Sequence, residues 1–258
     1  MELFCRKIGE GQPLIILHGL YGSSDNWLPI AKMLADYFTV YIPDLRNHGK
    51  SFHSDTHTYE AITNDIYLLI QKEKIQKTSI LGHSMGGKAA VFCAKYFPEL
   101  INKIVVADIS PFPYNLNENS IDHYYILSSL QKINLTNCSK YADIEKELLI
   151  FFDDERLRNF LQKNVKKERD GKMKWLINLP VLVNSLSEIF KGIDNNDKIE
   201  IPFLFIKGEN SNYISKNDEK QINDVFLNYK IETISNAGHW LHAEQPEKFI
   251  SIVKKWLI

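Results

Sequence analysis

Ser84 stands at the centre of Gly82-His83-Ser84-Met85-Gly86-Gly87, directly after the apolar run Ser79-Ile80-Leu81 and before the helix-prone stretch 88–97. A serine on a sharp strand-to-helix turn can expose its hydroxyl as a nucleophile, and glycines two positions either side remove side chains that would strike the neighbouring backbone. The helix start that follows would leave the Met85 amide free to hold a developing oxyanion. A second donor is expected from the turn His18-Gly19-Leu20-Tyr21-Gly22, where we assign the Leu20 amide, while His18 is read as a loop brace. Near the C-terminus, Ala237-Gly238-His239-Trp240 offers an imidazole in the chain order that a serine nucleophile on this kind of turn requires. A neutral His239 can take the serine proton and return it to the leaving group. His242, three residues on, is read as a helix-start or surface residue.

The third member of such a set is a carboxylate that steadies the imidazole. It commonly follows the strand corresponding to Phe203–Ile206, but Gly208-Glu209-Asn210-Ser211 carries serine there. The preceding strand ends in Ala107-Asp108-Ile109-Ser110-Pro111, so Asp108 is the expected acid and Glu209 its rival. A nucleophilic aspartate would have pointed to dehalogenase or epoxide hydrolase chemistry, and Ser84 at that place argues against both.

The elements that must position these groups are legible as short apolar runs: 14–17, 38–42, 79–81, 104–107, 203–206 and 231–234. They read as buried strands alternating with amphipathic helices, hence a mainly parallel sheet covered on both faces. The alternation fails between Pro111 and about Asp197, where helices are expected over 121–130, 141–152, 156–165 and 181–190, with a turn at Asp170-Gly171 before Trp175. This stretch is read as a lid. Tyr21, Trp175 and Trp240 are expected to line an acyl pocket, and Tyr124, Tyr125 and Phe151 are further aromatic candidates, although aromatics at helical spacing more often belong to a core.

The segments Asp44-Leu45-Arg46-Asn47-His48-Gly49, Gly82 to Lys88, Ala107 to Pro111 and Gly238-His239-Trp240-Leu241-His242-Ala243-Glu244 together resemble the bacterial YbfF-type esterases of the α/β-hydrolase superfamily. The resemblance implies a mainly parallel eight-stranded sheet flanked by helices. It implies a core of residues 1–111 and 198–258, with a helical cap, 112–197, inserted after the sixth strand. It further implies hydrolysis of short-acyl esters or thioesters without metal or organic cofactor, and an acid after the sixth strand, which favours Asp108. Asp44, Arg46 and Gly49 match a loop shared across the superfamily and are expected to fix the chain, not to react. A non-catalytic small-molecule-binding role is the alternative from a different class, because fold alone does not set function.

Of 258 residues, 44% are hydrophobic, enough for one core of ordinary size. The formal net charge of −1, from 31 basic and 32 acidic residues, gives no reason to expect nucleic acid or an anionic membrane as partner. Cys5, Cys93 and Cys138 have neither disulfide-framework nor zinc spacing and read as reduced thiols, hence a cytoplasmic protein. No apolar run is long enough for a signal peptide or a membrane span, and a monomer or dimer is expected.

Overall fold

Leu14, Ile15, Ile16 and Leu17 are all fully buried. Ile15 and Leu17 enter one apolar cluster while Leu14 and Ile16 enter another. Side chains alternate across a strand, so an unbroken apolar run is what a strand with a core on each face needs. The same division holds for Ile104 and Val106 against Val105 and Ala107.

The computed structural model describes residues 1–114 and 123–258. The first half of the chain alternates strands and helices: β1 (Cys5–Ile8), β2 (Gln12–Leu17), α1 (Ser24–Leu34), β3 (Phe38–Pro43), α2 (Tyr59–Lys72), β4 (Thr78–His83), α3 (Met85–Tyr96) and β5 (Ile101–Ala107). An insertion follows with α4 (His123–Lys132), α5 (Tyr141–Leu149), α6 (Glu155–Gln162), β6 (Val165–Lys167), β7 (Met173–Trp175), α7 (Leu179–Asn184) and α8 (Leu186–Ile189). The sheet resumes with β8 (Phe203–Gly208), α9 (Lys216–Val225), β9 (Tyr229–Ile234), α10 (Leu241–Glu244) and α11 (Pro246–Leu257).

The main sheet has seven strands in the order β1-β3-β2-β4-β5-β8-β9, parallel throughout except for β1, which runs antiparallel to β3. The expected count of eight is therefore corrected to seven among the described residues, and the insertion follows the fifth strand in chain order. The chain pairs once with β3 through Cys5–Ile8, then turns at Gly9 and Gly11 straight into β2.

The expected helices of the insertion correspond to α4, α5, α6 and the pair α7–α8, with residues 121–122 of the first outside the described residues. The insertion is not wholly helical. Val165, expected to end a helix, begins β6, and β6 pairs with β7 as an antiparallel hairpin around Gly171, whose φ is +86°. Leu127, Leu130, Ile144, Leu148, Leu161 and Leu182 are fully buried and join the same cluster as Ile15 and Val106.

Both ends of the insertion are held to α3 by one side chain. Lys88 is 1% exposed, and its Nζ donates to the carbonyls of Phe112 (2.6 Å), Lys191 (2.7 Å) and Phe190 (3.2 Å). Burial pushes the Lys88 pKa down, yet three carbonyl acceptors require three N–H donors, which only the ammonium form supplies. The Tyr114 ring, 4.4 Å from Nζ, adds a cation–π contact.

Candidate active site

Ser84 links β4 to α3 with φ 53° and ψ −124°, a conformation non-glycine residues rarely adopt. Such strain costs on the order of 1–3 kcal/mol and persists only where the surroundings impose it. Here the Ser84 amide donates to Ala107 O (3.0 Å), and its carbonyl accepts from the amides of Gly87 (2.8 Å) and Lys88 (3.1 Å). A Cβ on Gly82 would lie 2.1 Å from Gly86 O, and one on Gly86 would lie 2.3 Å from Leu17 O, so neither position admits a side chain. The two glycines of the motif are thus required by packing between β4, α3 and the end of β2.

His239 lies between β9 and α10 with its side chain 15% exposed. Its Nδ1 is 2.8 Å from Asp108 Oδ2, its carbonyl accepts the His83 Nε2 hydrogen bond (2.8 Å), and the Tyr213 ring stacks on it at 3.9 Å. Asp108 immediately follows β5 and is fully buried, with φ 51°. Its amide donates to Ile206 O (2.8 Å), Oδ1 accepts from the Gly208 amide (2.9 Å), and Oδ2 accepts from the Ser211 hydroxyl as well as facing His239. The serine found where an acid was sought therefore donates to the acid supplied by the neighbouring strand. Glu209 is exposed and its carboxylate accepts from the Asn236 amide at 2.9 Å, away from the imidazole.

With a carboxylate at Nδ1, the proton of a neutral His239 belongs on Nδ1 and Nε2 is left as the basic nitrogen. Both ring nitrogens of His18 are occupied: Nδ1 lies 2.8 Å from Gly19 O, and Nε2 accepts from the Leu45 amide at 2.9 Å. Burial lowers the His18 and His83 pKa values and pulls that of His242 down to about 3. His242 belongs to α10, as a helix-start residue would, but it is not on the surface: it is 8% exposed and stacks on Trp27 at 4.2 Å.

The turn after β2 is closed by the Gly22 amide donating to Gly19 O (3.0 Å), with Tyr21 at φ 62°. Among the described residues, the Leu20 and Met85 amides donate to no backbone carbonyl outside the regular elements. The Asp44–Gly49 loop is occupied structurally. Asp44 accepts from the amides of Ser24 (2.6 Å) and Lys50 (2.8 Å), and Arg46 spans both Asp65 oxygens at 2.7 and 2.8 Å. Among the described residues no group of three His, Cys, Asp or Glu side chains converges as a metal site.

Ser84 lies between two small cavities. One, of about 60 Å³, is lined by Ser84, His239, Leu20, Tyr21, Trp240, Leu157 and Phe160. The other, of about 20 Å³, lies on the Met85 side against Tyr59, Ile109, Ile189, Phe190 and Tyr213. A larger groove of about 660 Å³ shares Asn26, Phe160, Trp240 and His242 with the first cavity. Tyr21 and Trp240, expected in an acyl pocket, line the first of these cavities. Trp175 does not: it pairs with Val165 in the hairpin and lines none of these spaces. Tyr124 is 64% exposed, and the Tyr125 hydroxyl donates to Phe151 O. Leu157 and Phe160 were missed as lining residues; their spacing of three on one helix was the available signal.

Residues 12–246 match the family model described as alpha/beta hydrolase fold. The chain is 37% identical over 254 residues to the sn-1-specific diacylglycerol lipase ABHD11 of Danio rerio, covering 96% of this chain and 79% of that one. It is 29% identical over 248 residues to esterase YbfF of Escherichia coli (strain K12), covering 96% and 94%. A solved structure of a marine microorganism esterase superposes with a TM-score of 0.96 at 42% identity, covering 99% of each chain. The motif resemblance to YbfF-type esterases therefore holds along nearly the whole sequence, and the chain belongs to the α/β-hydrolase-fold family.

Proposed function

We propose that the protein is a serine carboxylester hydrolase for small, short-acyl esters. Ser84 Oγ attacks the ester carbonyl carbon while His239 Nε2 takes its proton, and Asp108 stabilises the imidazolium. The amides of Leu20 and Met85 hold the tetrahedral oxyanion. The carbon–oxygen bond to the alcohol then breaks, His239 gives the leaving oxygen the proton, and an acyl-enzyme remains. A water deprotonated by His239 attacks that acyl-enzyme, releasing the carboxylic acid and restoring the Ser84 hydroxyl. The observation that carries this reading is the 2.8 Å contact between His239 Nδ1 and the buried Asp108 carboxylate, with His239 and Ser84 lining one cavity.

Cavity shape supports the short-acyl part. The leaving oxygen must stay near His239, which assigns the alcohol to the 60 Å³ cavity and its adjoining groove. The acyl chain is left with the 20 Å³ space, little more than the 10–15 Å³ that admits one water. Thioesters would follow the same steps with sulfur leaving. The insertion, residues 112–197, acts in this reading as a cap, since its Leu157 and Phe160 help wall the cavity beside Ser84. The three unpaired cysteines are compatible with a reducing, cytoplasmic setting.

The test is labelling by a fluorophosphonate probe together with hydrolysis of p-nitrophenyl acetate, butyrate and octanoate. Wild type should label and favour acetate, and Ser84→Ala should lose both labelling and turnover. A folded wild type that neither labels nor hydrolyses any of the esters refutes the proposal.

A further inference from the structure

The groove outside the 60 Å³ cavity carries charge that the proposed mechanism does not use. Helix α6 turns Leu157 and Phe160 into the cavity, and sets Arg156, Asn159 and, just past its end, Lys163 along the groove wall. These three polar residues recur at spacings of three and four, so they share one stripe of the helix surface. Arg156 and Lys163 are exposed, and among the described residues neither is paired with a carboxylate. Arg158, on the same helix but facing inward, is instead bound to Glu145 at 2.7 Å. Among the described residues the one acid lining the groove, Glu244, is engaged by the Gly238 amide at 2.7 Å.

A second, independent feature lies where groove and cavity meet. His242 lines both spaces, is 8% exposed, and among the described residues its Nδ1 has no hydrogen-bond partner. The His242 ring thus borders the passage from cavity to groove, and whatever joins the two halves of a substrate passes beside it. The groove volume of about 660 Å³ is in the range of spaces that hold small-molecule ligands, far beyond what the acyl side offers.

Resting on the hydrolase reading above, we propose that this groove binds the leaving-group half of the substrate and selects an alcohol or thiol that carries a phosphate, held by Arg156 and Lys163. The geometry sets the order along the substrate. The acyl group sits on the Met85 side, the scissile bond at Ser84 and His239, a short polar linker passes His242, and the phosphate reaches the α6 cations. A phosphate offers three acceptor oxygens and up to two negative charges to guanidinium and ammonium groups, while an uncharged alcohol of the same size leaves both cations solvated and unrewarded.

The test compares 3-acetoxypropyl phosphate with its uncharged dimethyl ester, both read as kcat/KM by acid release. Wild type should favour the phosphate by about tenfold at low ionic strength, since each exposed ion pair contributes a few-fold, and the preference should fall sharply in high salt. In the double variant Arg156→Gln/Lys163→Gln the ratio should drop to about one. Lys255→Glu, which makes the same change in net charge at an exposed site on α11, should keep the wild-type ratio and so separates local binding from overall field. Equal kcat/KM for both esters in wild type, or a ratio unchanged by the double variant, overturns the proposal. If wild type cleaves neither ester nor p-nitrophenyl acetate, the hydrolase reading fails and the groove assignment falls with it.

Discussion

Replacing Asp108 with Asn exchanges one carboxylate oxygen for an NH2 group, and the surroundings dictate how the amide must sit. Oδ1 of Asp108 accepts the Gly208 amide at 2.9 Å, and that N–H can be met only by the carbonyl oxygen of an asparagine. The NH2 group is thereby directed to the site of Oδ2, where it faces His239 Nδ1 and the Ser211 hydroxyl. Ser211 can adapt by accepting instead of donating. His239 cannot adapt without changing tautomer: Nδ1 must now accept, so the proton moves to Nε2, the nitrogen that the proposed mechanism uses to deprotonate Ser84. The expected loss in kcat is about 10^4-fold, or about 5 kcal/mol of transition-state stabilisation. Every buried polar group nearby keeps a partner, so the melting temperature should stay near wild type. Asp108→Ala, by contrast, leaves the Gly208 amide and Ser211 hydroxyl unmatched and should also destabilise the fold, by about 1–3 kcal/mol per orphaned group. The assay is p-nitrophenyl acetate turnover alongside thermal melts, with Glu209→Gln as control. Asp108→Asn within tenfold of wild type, or a larger loss in Glu209→Gln, would refute the reasoning.

Acid should unfold the protein through its buried imidazoles. Burial lowers His57 and His242 to about 3, and lowers His18, His48 and His83 as well. The unfolded chain takes up these protons below about pH 6.5 while the folded one does not, so stability is full above that pH and declines below it, by about 1.4 kcal/mol per pH unit for each histidine until its folded pKa is reached. Urea melts at pH 7, 6 and 5 that show no such decline would contradict this. Gly86→Ala should cost about 1–3 kcal/mol by overpacking against Leu17 O and displace the elbow, so labelling by fluorophosphonate should fall with stability. Ile189→Ala should enlarge the space on the Met85 side and move the preferred p-nitrophenyl ester from acetate toward butyrate, at about 2–5 kcal/mol of stability; an unmoved chain-length profile would show that the acyl group lies elsewhere.

Five of the seven main-sheet strands are legible because they are buried on both faces, and a sixth, the edge strand β9, is legible from Ile231 and the buried Ile234 interleaved with polar residues. Cys5–Ile8 escapes notice since it is an edge strand, where only one side is paired and Arg6 and Lys7 are tolerated. The hairpin at 165–175 escapes because its strands are three residues long and half lysine, and their pairing owes more to the turn at Gly171 than to any apolar pattern. At the candidate site, Ser84, His239 and Asp108 are readable from local motifs, and the serine at 211 is what turns the search for an acid to the neighbouring strand. The cavity walls are another matter. Leu157, Phe160 and His242 are ordinary residues of helices until tertiary packing brings α6 and α10 against the elbow, whereas Trp175 has the composition of a lining residue without the position.

The knot at Lys88 has a consequence for how such a molecule can be altered. Its three carbonyl partners are main-chain atoms of Phe112, Phe190 and Lys191, so those hydrogen bonds read no side chain, and the Tyr114 ring adds a side-chain contact beside the first anchor. The stretch beyond Tyr114 and up to 189 can thus diverge, lengthen or be exchanged as a cassette while its two anchor points stay at a set distance from the turn that bears Ser84. A lysine four residues beyond the proposed nucleophile would in that way let one half of the protein change its taste in substrates without disturbing the proposed chemistry of the other.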